Sequence, residues 1–127
     1  THTQEALESF KQLINRFPKS QFLEKSKKKK KECELKLAEN VLTIGKFYYR
    51  AGSYQSAITR LNGLVTDHPQ LKILDEAIYL IAESYYHEQN FDEASVSYKE
   101  LLKKYPGSRF RLQAKNRLRN LLRQQRS

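Results

Sequence analysis

The sequence predicts an all-α fold of repeated helical hairpins, with one overlong helix from about Gln21 to Ala51. Three observations lead there. Good helix formers (Ala, Leu, Lys, Glu, Gln, Arg) dominate, and only 4 Gly and 3 Pro punctuate 127 residues; a β-rich chain needs more turn residues than that. Between Ser20 and Gly52 there is no Pro and one Gly, Gly45. A single helix there would be about 45 Å long, against a usual length of about 11 residues. Finally, the residues before each proline repeat at fixed offsets.

The elements follow in order. Thr3 is a candidate N-cap, and Ala6, Phe10, Leu13, Ile14 and Phe17 form one apolar face of a first helix over Gln4 to Phe17. Pro18 closes it, because the residue before a proline is pushed out of the α region. Ser20 caps the long helix. Its apolar positions are Phe22, Cys33, Leu37, Val41, Ile44 and Tyr48, with small Ser26 one turn after Phe22 and a break at Lys27–Lys31. Gly52-Ser53 ends it and caps a helix from Tyr54 to Thr66 with Ala57, Ile58, Leu61, Leu64 and Val65 inward. His68-Pro69 closes that helix. Leu74 to Glu88 turns Ala77, Ile78, Ile81, Ala82 and Tyr85 inward, and Asn90 turns the chain. Phe91 to Lys104 does the same with Ala94, Tyr98, Leu101 and Leu102 and stops at Tyr105-Pro106-Gly107. Ser108 caps a last helix carrying Leu112, Leu118, Leu121 and Leu122, frayed from Gln124.

The repeat appears when the prolines are set in register. Ala6, Phe10, Leu13 and Phe17 precede Pro18 at −12, −8, −5 and −1; Ala57, Leu61, Leu64 and His68 precede Pro69, and Ala94, Tyr98, Leu101 and Tyr105 precede Pro106, at the same offsets. Upstream, Val41, Ile44, Gly45, Tyr48 and Tyr54 match Ile78, Ile81, Ala82, Tyr85 and Phe91. The pattern resembles the tetratricopeptide repeat, a 34-residue helical hairpin in which small residues let two antiparallel helices approach and large ones fill the grooves between hairpins. Pro69 to Pro106 is 37 residues and Pro18 to Pro69 is 51; the excess of seventeen fits inside the long helix. The expected organisation is one helical-repeat domain: helix B of a truncated repeat over 1–19, an extended repeat over 20–69, a repeat over 70–106 and a capping helix over 107–127. The first unit lacks its helix A, so the chain reads as part of something longer.

Several phrases narrow the resemblance: Thr1-His2-Thr3-Gln4-Glu5-Ala6-Leu7, Arg16-Phe17-Pro18-Lys19-Ser20-Gln21-Phe22, Leu37-Ala38-Glu39, Phe47-Tyr48-Tyr49-Arg50-Ala51-Gly52-Ser53-Tyr54, Ala57-Ile58-Thr59-Arg60-Leu61 and Glu76 to Tyr85. Over residues 1 to about 110 they resemble the C-terminal half of the BamD family, lipoproteins of the outer-membrane β-barrel assembly machinery of Gram-negative bacteria. The resemblance implies a non-catalytic scaffold at the periplasmic face of the outer membrane, with its lipid anchor outside this fragment. It implies docking on a POTRA domain of a BamA-like barrel subunit and on small Bam lipoproteins. The family's contact arginine falls on Arg60; Arg50, Tyr49 and Asn62 lie near the same hairpin end or face by helical spacing. Arg suits the role because its planar fork binds a carboxylate bidentately. The sequence departs from the family at Lys30, where a large apolar residue is usual, and at Lys25-Ser26, which replaces an acidic-small pair.

The charge of +10 is uneven. Residues 24–36 carry seven Lys against three Glu, residues 37–108 are mildly acidic, and residues 109–127 carry seven basic groups and no acid. The alternative functions are therefore a basic helical-repeat module binding nucleic acid or anionic lipid, or another periplasmic tetratricopeptide adaptor. The Lys27–Lys31 run reads more simply as a solvated helix side, because aromatics for base stacking do not interleave it; no nucleic-acid partner is expected. The basic tail reads equally as a capping helix or as a docking helix for an acidic partner.

Nothing in the residues suggests catalysis or a cofactor. Cys33 stands alone and reads as a small seam residue, and no two histidines share i, i+4 spacing for a metal. His68 is expected to pack, and His2 and His87 to be exposed. The carboxylates are scattered, expected on outer faces or in first helical turns where they complement the helix dipole. Tyr49, Tyr79 and Tyr86 fall off the repeat positions and are expected at the surface.

Overall fold

The computed structural model describes residues 2–16 and 20–126. The described residues form six helices: α1 (His2–Arg16), α2 (Ser20–Arg50), α3 (Tyr54–Asp67), α4 (Leu74–His87), α5 (Phe91–Lys104) and α6 (Arg111–Arg126). Among the described residues there is no strand. The overlong helix is real: α2 runs 31 residues. Phe17, Pro18 and Lys19 lie outside the described residues, as do the side chains of Phe10, Leu13, Ile14 and Ser20. Packing divides the chain into two units, 1–40 and 41–127.

In the first unit α1 starts at His2, so Thr3 sits inside the helix rather than capping it. Leu7 is buried and Ala6 only half-buried, one position off the expected face. On α2 the buried residues here are Ser26 and Ala38, whereas Phe22 is exposed and Cys33 and Leu37 are half-buried. The inward line is thus built from small side chains, not from the large ones that periodicity selects. Lys27, Lys28, Lys29 and Lys31 are exposed. Lys29 reaches Glu32 at 3.6 Å and Lys30 reaches Glu34 at 3.8 Å along the same helix, the spacing at which exposed pairs add a few tenths of a kcal/mol.

The second unit is a stack in which α3 packs on α4, α4 on α5 and α5 on α6. The end of α2 approaches α3 at Gly45, where an added Cβ would lie 2.4 Å from Leu61 Cδ2. Leu61 is fully buried and has no room to swing away, so Gly sets this interhelical distance. Leu42 is buried beside it, but Ile44 is 40% exposed. Its repeat counterpart Ile81 is 5% exposed, because α4 is covered by helices on both sides. The core joins Ile78, Ala82, Ala94, Tyr98, Leu101, Ala114 and Leu121. On α6 the expected face is rotated: Ala114 and Leu121 are buried, while Leu112 and Leu122 are exposed.

Two turns share one design. After α2, Ser53 N–H donates to Tyr48 O at 2.9 Å and Gly52 N–H to Tyr49 O at 3.1 Å, with Gly52 at φ 79°. After α4, Asn90 N–H donates to Tyr85 O at 2.9 Å and Gln89 N–H to Tyr86 O at 3.0 Å, with Gln89 at φ 63°. Both are Schellman closures that satisfy orphan carbonyls. Asn90 then caps α5, its side chain accepting from Glu93 N–H. Ser53 holds the corresponding place before α3 without a side-chain cap bond. Ser108 does not cap α6 directly, since that helix starts at Arg111. It accepts from Phe110 N–H at 3.1 Å and donates to Asp75 at 2.7 Å, tying the α5–α6 loop to the start of α4.

Candidate functional site

The hairpin end formed by the last turn of α2 and the start of α3 carries the predicted contact residues. Arg60 is exposed on α3. With Tyr48, Gln55, Ser56 and Thr59 it lines an open concavity of about 270 Å³. These residues come together because 55, 56, 59 and 60 follow helical spacing along the outer side of α3, opposite Ala57, Leu61 and Leu64. Arg50 is exposed at the end of α2. Asn62 is exposed too, but two residues from Arg60 it points about 200° away round the helix, so it is not part of that concavity.

Tyr49 turns inward. Its hydroxyl lies 3.2 Å from His87 Nε2, its ring meets Tyr54 edge-on, and His87 stacks on Tyr54 at 5.3 Å. Burial raises the Tyr49 pKa above the ordinary phenol range. Gln55 donates to Glu88 across the same junction. This cluster joins the end of α4 to the α2–α3 turn and so holds the backbone on which Arg50 and Arg60 are mounted.

Tyr79 and Tyr86, expected at the surface, are half-buried and pack against the core. Tyr79 meets Glu83, a carboxylate that is buried although the scattered carboxylates as a class were expected on outer faces or in first helical turns. Tyr98 donates a hydrogen bond to Glu83, Tyr79 donates at 3.1 Å, and Arg117 donates from Nε at 2.9 Å and from Nη2 at 3.2 Å. The Arg117 guanidinium lies 4.0 Å over the Tyr86 ring, and Tyr79 stacks on Phe110 at 4.7 Å. Burial first, and then the hydrogen bond to Glu83, push the Tyr98 hydroxyl well up. Burial and the Glu83 charge do the same to Tyr79, and the hydrogen bond to Glu83 raises Arg117. With four donors the carboxylate is saturated, and its chemistry is structural: it joins α4, α5 and α6. The signal that could have located it is Arg117, an inward position on a helix whose Arg111, Lys115, Arg119 and Arg123 are exposed.

Further ion pairs brace the start of α4, where Glu76 meets Lys46 at 3.0 Å and Arg109 at 3.4 Å. Among the described residues no group of three or more His, Cys, Asp or Glu is placed to hold a metal. No helix among them is long and apolar enough to cross a membrane.

The profile of the YfiO family, described as outer membrane lipoprotein, matches residues 1–95. The outer membrane protein assembly factor BamD of Xylella fastidiosa strain 9a5c is 28% identical over 87 residues, as is that of strain Temecula1. Each match covers 68% of this chain and 30% of the relative, so the chain corresponds to under a third of those proteins' length. With three-quarters of its residues inside the family profile and tetratricopeptide-like hairpins built around an extended α2, this BamD-like chain belongs to the YfiO outer membrane lipoprotein family.

Proposed function

We propose that this chain is the docking part of a non-catalytic scaffold for outer-membrane β-barrel assembly, working at the periplasmic face of the outer membrane as part of a lipid-anchored protein. Its partners are a POTRA domain of a BamA-like barrel subunit and small Bam lipoproteins. The observation that carries this reading is the family match over 1–95. The geometry supports it by presenting Arg60 exposed beside an open concavity on a braced hairpin. Its mechanism is rigid display: stacked helices hold one face in one orientation, so a partner docks without ordering the scaffold first. Arg60 supplies the bidentate anchor for a carboxylate, Arg50 extends the contact from the end of α2, and Tyr49 fixes the turn beneath them; Asn62, on the other side of α3, falls outside this contact.

The test is titration of the chain with the POTRA domain of its own BamA-like subunit. Arg60→Glu should weaken association by roughly ten- to a hundredfold, the worth of a charge-assisted bidentate contact, with the far-ultraviolet dichroism unchanged. Unchanged affinity would overturn this docking face.

A further inference from the structure

Helix α6 uses its cations in two ways. Arg117 turns inward to Glu83. Arg111, Lys115, Arg119 and Arg123 follow one another at four-residue spacing, and all four are exposed. That spacing sets them about 6 Å apart along the axis, in a row of roughly 18 Å that drifts slowly round the helix. No acidic residue occurs between 109 and 127, and among the described residues none of the four meets a carboxylate. The row is an unneutralised cationic ladder, and it lies beyond the residues that the family profile matches.

Beside it runs a groove between α5 and α6 of about 260 Å³, whose lining combines apolar Val96, Leu118, Leu121 and Leu122 with polar residues, among them Asp92 and Lys99. Val96 is 59% and Leu122 53% exposed, a large apolar area left open on a small stack. Leu122 stands three residues after Arg119 and so neighbours it on the helix surface. Apolar floor and cationic rim are contiguous.

We propose that the α5–α6 groove docks an acidic amphipathic helix of a partner protein. Apolar side chains of that helix at i, i+3, i+4 and i+7 would cover Val96 and Leu122, and carboxylates at four-residue spacing would meet the ladder. Charge complementarity selects an acidic partner. The two-helix lining selects a helix over a membrane, since Val96 stands on a different helix from the ladder and an anionic bilayer would meet the Asp92 carboxylate in that lining. Nucleic acid is disfavoured because α6 has no aromatic side chain for base stacking.

The test uses the full chain and four probes read by fluorescence anisotropy or sedimentation. They are a labelled helical peptide with Leu on one face and Glu at four-residue spacing, its Glu→Gln twin, vesicles of phosphatidylcholine and phosphatidylglycerol, and a single-stranded oligonucleotide. The Glu peptide should bind at least about tenfold more tightly than its twin. Lys115→Glu with Arg119→Glu should weaken the Glu peptide by at least about tenfold and create binding of a Lys-faced peptide, a gain that an unfolded variant could not show. Val96→Ser with Leu122→Ser should also weaken the Glu peptide. Arg60→Glu should leave this binding unchanged, so this inference and the proposed POTRA face fail separately. Equal binding of both peptides, insensitivity to the substitutions, or binding to vesicles or oligonucleotide without binding to the peptide would each overturn the proposal.

Discussion

Glu83 accepts hydrogen bonds from Tyr79, Tyr98 and, twice, Arg117, and is the most consequential single residue of the second unit. A lone buried carboxylate would be costly, and this one is tolerated because each donor offsets part of its lost hydration. Its phenol partners make the fold alkali-sensitive. Burial, reinforced by Glu83, raises the pKa of Tyr98 and Tyr79 in the folded chain. Below about pH 10 both folded and unfolded states keep these phenols protonated, and their contribution is complete. Above that, the unfolded chain ionises while the folded chain resists, so stability falls as pH rises. Urea melts should give constant stability from neutral pH to about 9.5 and a decline beyond it. Tyr98→Phe should cost about 1–2 kcal/mol at neutral pH, because Glu83 loses a donor, yet flatten the alkaline decline. An unchanged alkaline slope in that variant would rule out the assignment. Sequence patterning missed Glu83 because an acid next to Ser84 in a helix reads as solvent-facing; its partners on α5 and α6, 15 and 34 residues later, account for its burial.

At the scale of elements, helix ends were the most legible feature. α5 runs from Phe91 to Lys104 as its Asn90 and Pro106 punctuation implies, and α2 stops within a residue of its expected end. Proline and glycine act on the local backbone, so their effects need no tertiary knowledge. Faces were less legible. On α6, Leu112 and Leu122 match the helical period as well as Leu118 and Leu121 do, and the decisive contact is small Ala114, fully buried in the core. The two Schellman turns give a direct test. Their left-handed positions, Gly52 and Gln89, lie 37 residues apart, which is the repeat spacing. Gln89 bears the cost that a Cβ imposes there, roughly 1–2 kcal/mol, which glycine avoids at some expense in unfolded-state entropy. Gln89→Gly should therefore raise stability by about 0.5–1 kcal/mol in denaturant melts. A loss of stability would contradict the turn geometry.

For the molecule as a whole, the buried cluster from Ile78 to Leu121 is built from α4, α5 and α6, with Val65 of α3 packed against it, and the Gly45–Leu61 contact adds α2 within 41–127. Residues 41–127 expressed alone should fold cooperatively, with coincident thermal transitions by far-ultraviolet and near-ultraviolet dichroism. A broad transition without a near-ultraviolet tyrosine signal would contradict this. Of the candidate site, Arg60 and Arg50 were legible as exposed positions on a hairpin end. The division of the described α6 cations, with Arg117 inward and Arg111, Lys115, Arg119 and Arg123 outward, was not, because it depends on Glu83. That division has a mechanical consequence. A helix with leucines at 112, 118, 121 and 122 offers several apolar sides that bury similar area, and nothing in oily contact alone stops it from rolling on its neighbour. The forked Arg117–Glu83 pairing fits at one angle only. It works as the keyway of a shaft, indexing α6 so that its two leftover leucines and its row of positive charge always come to rest on the same outward side.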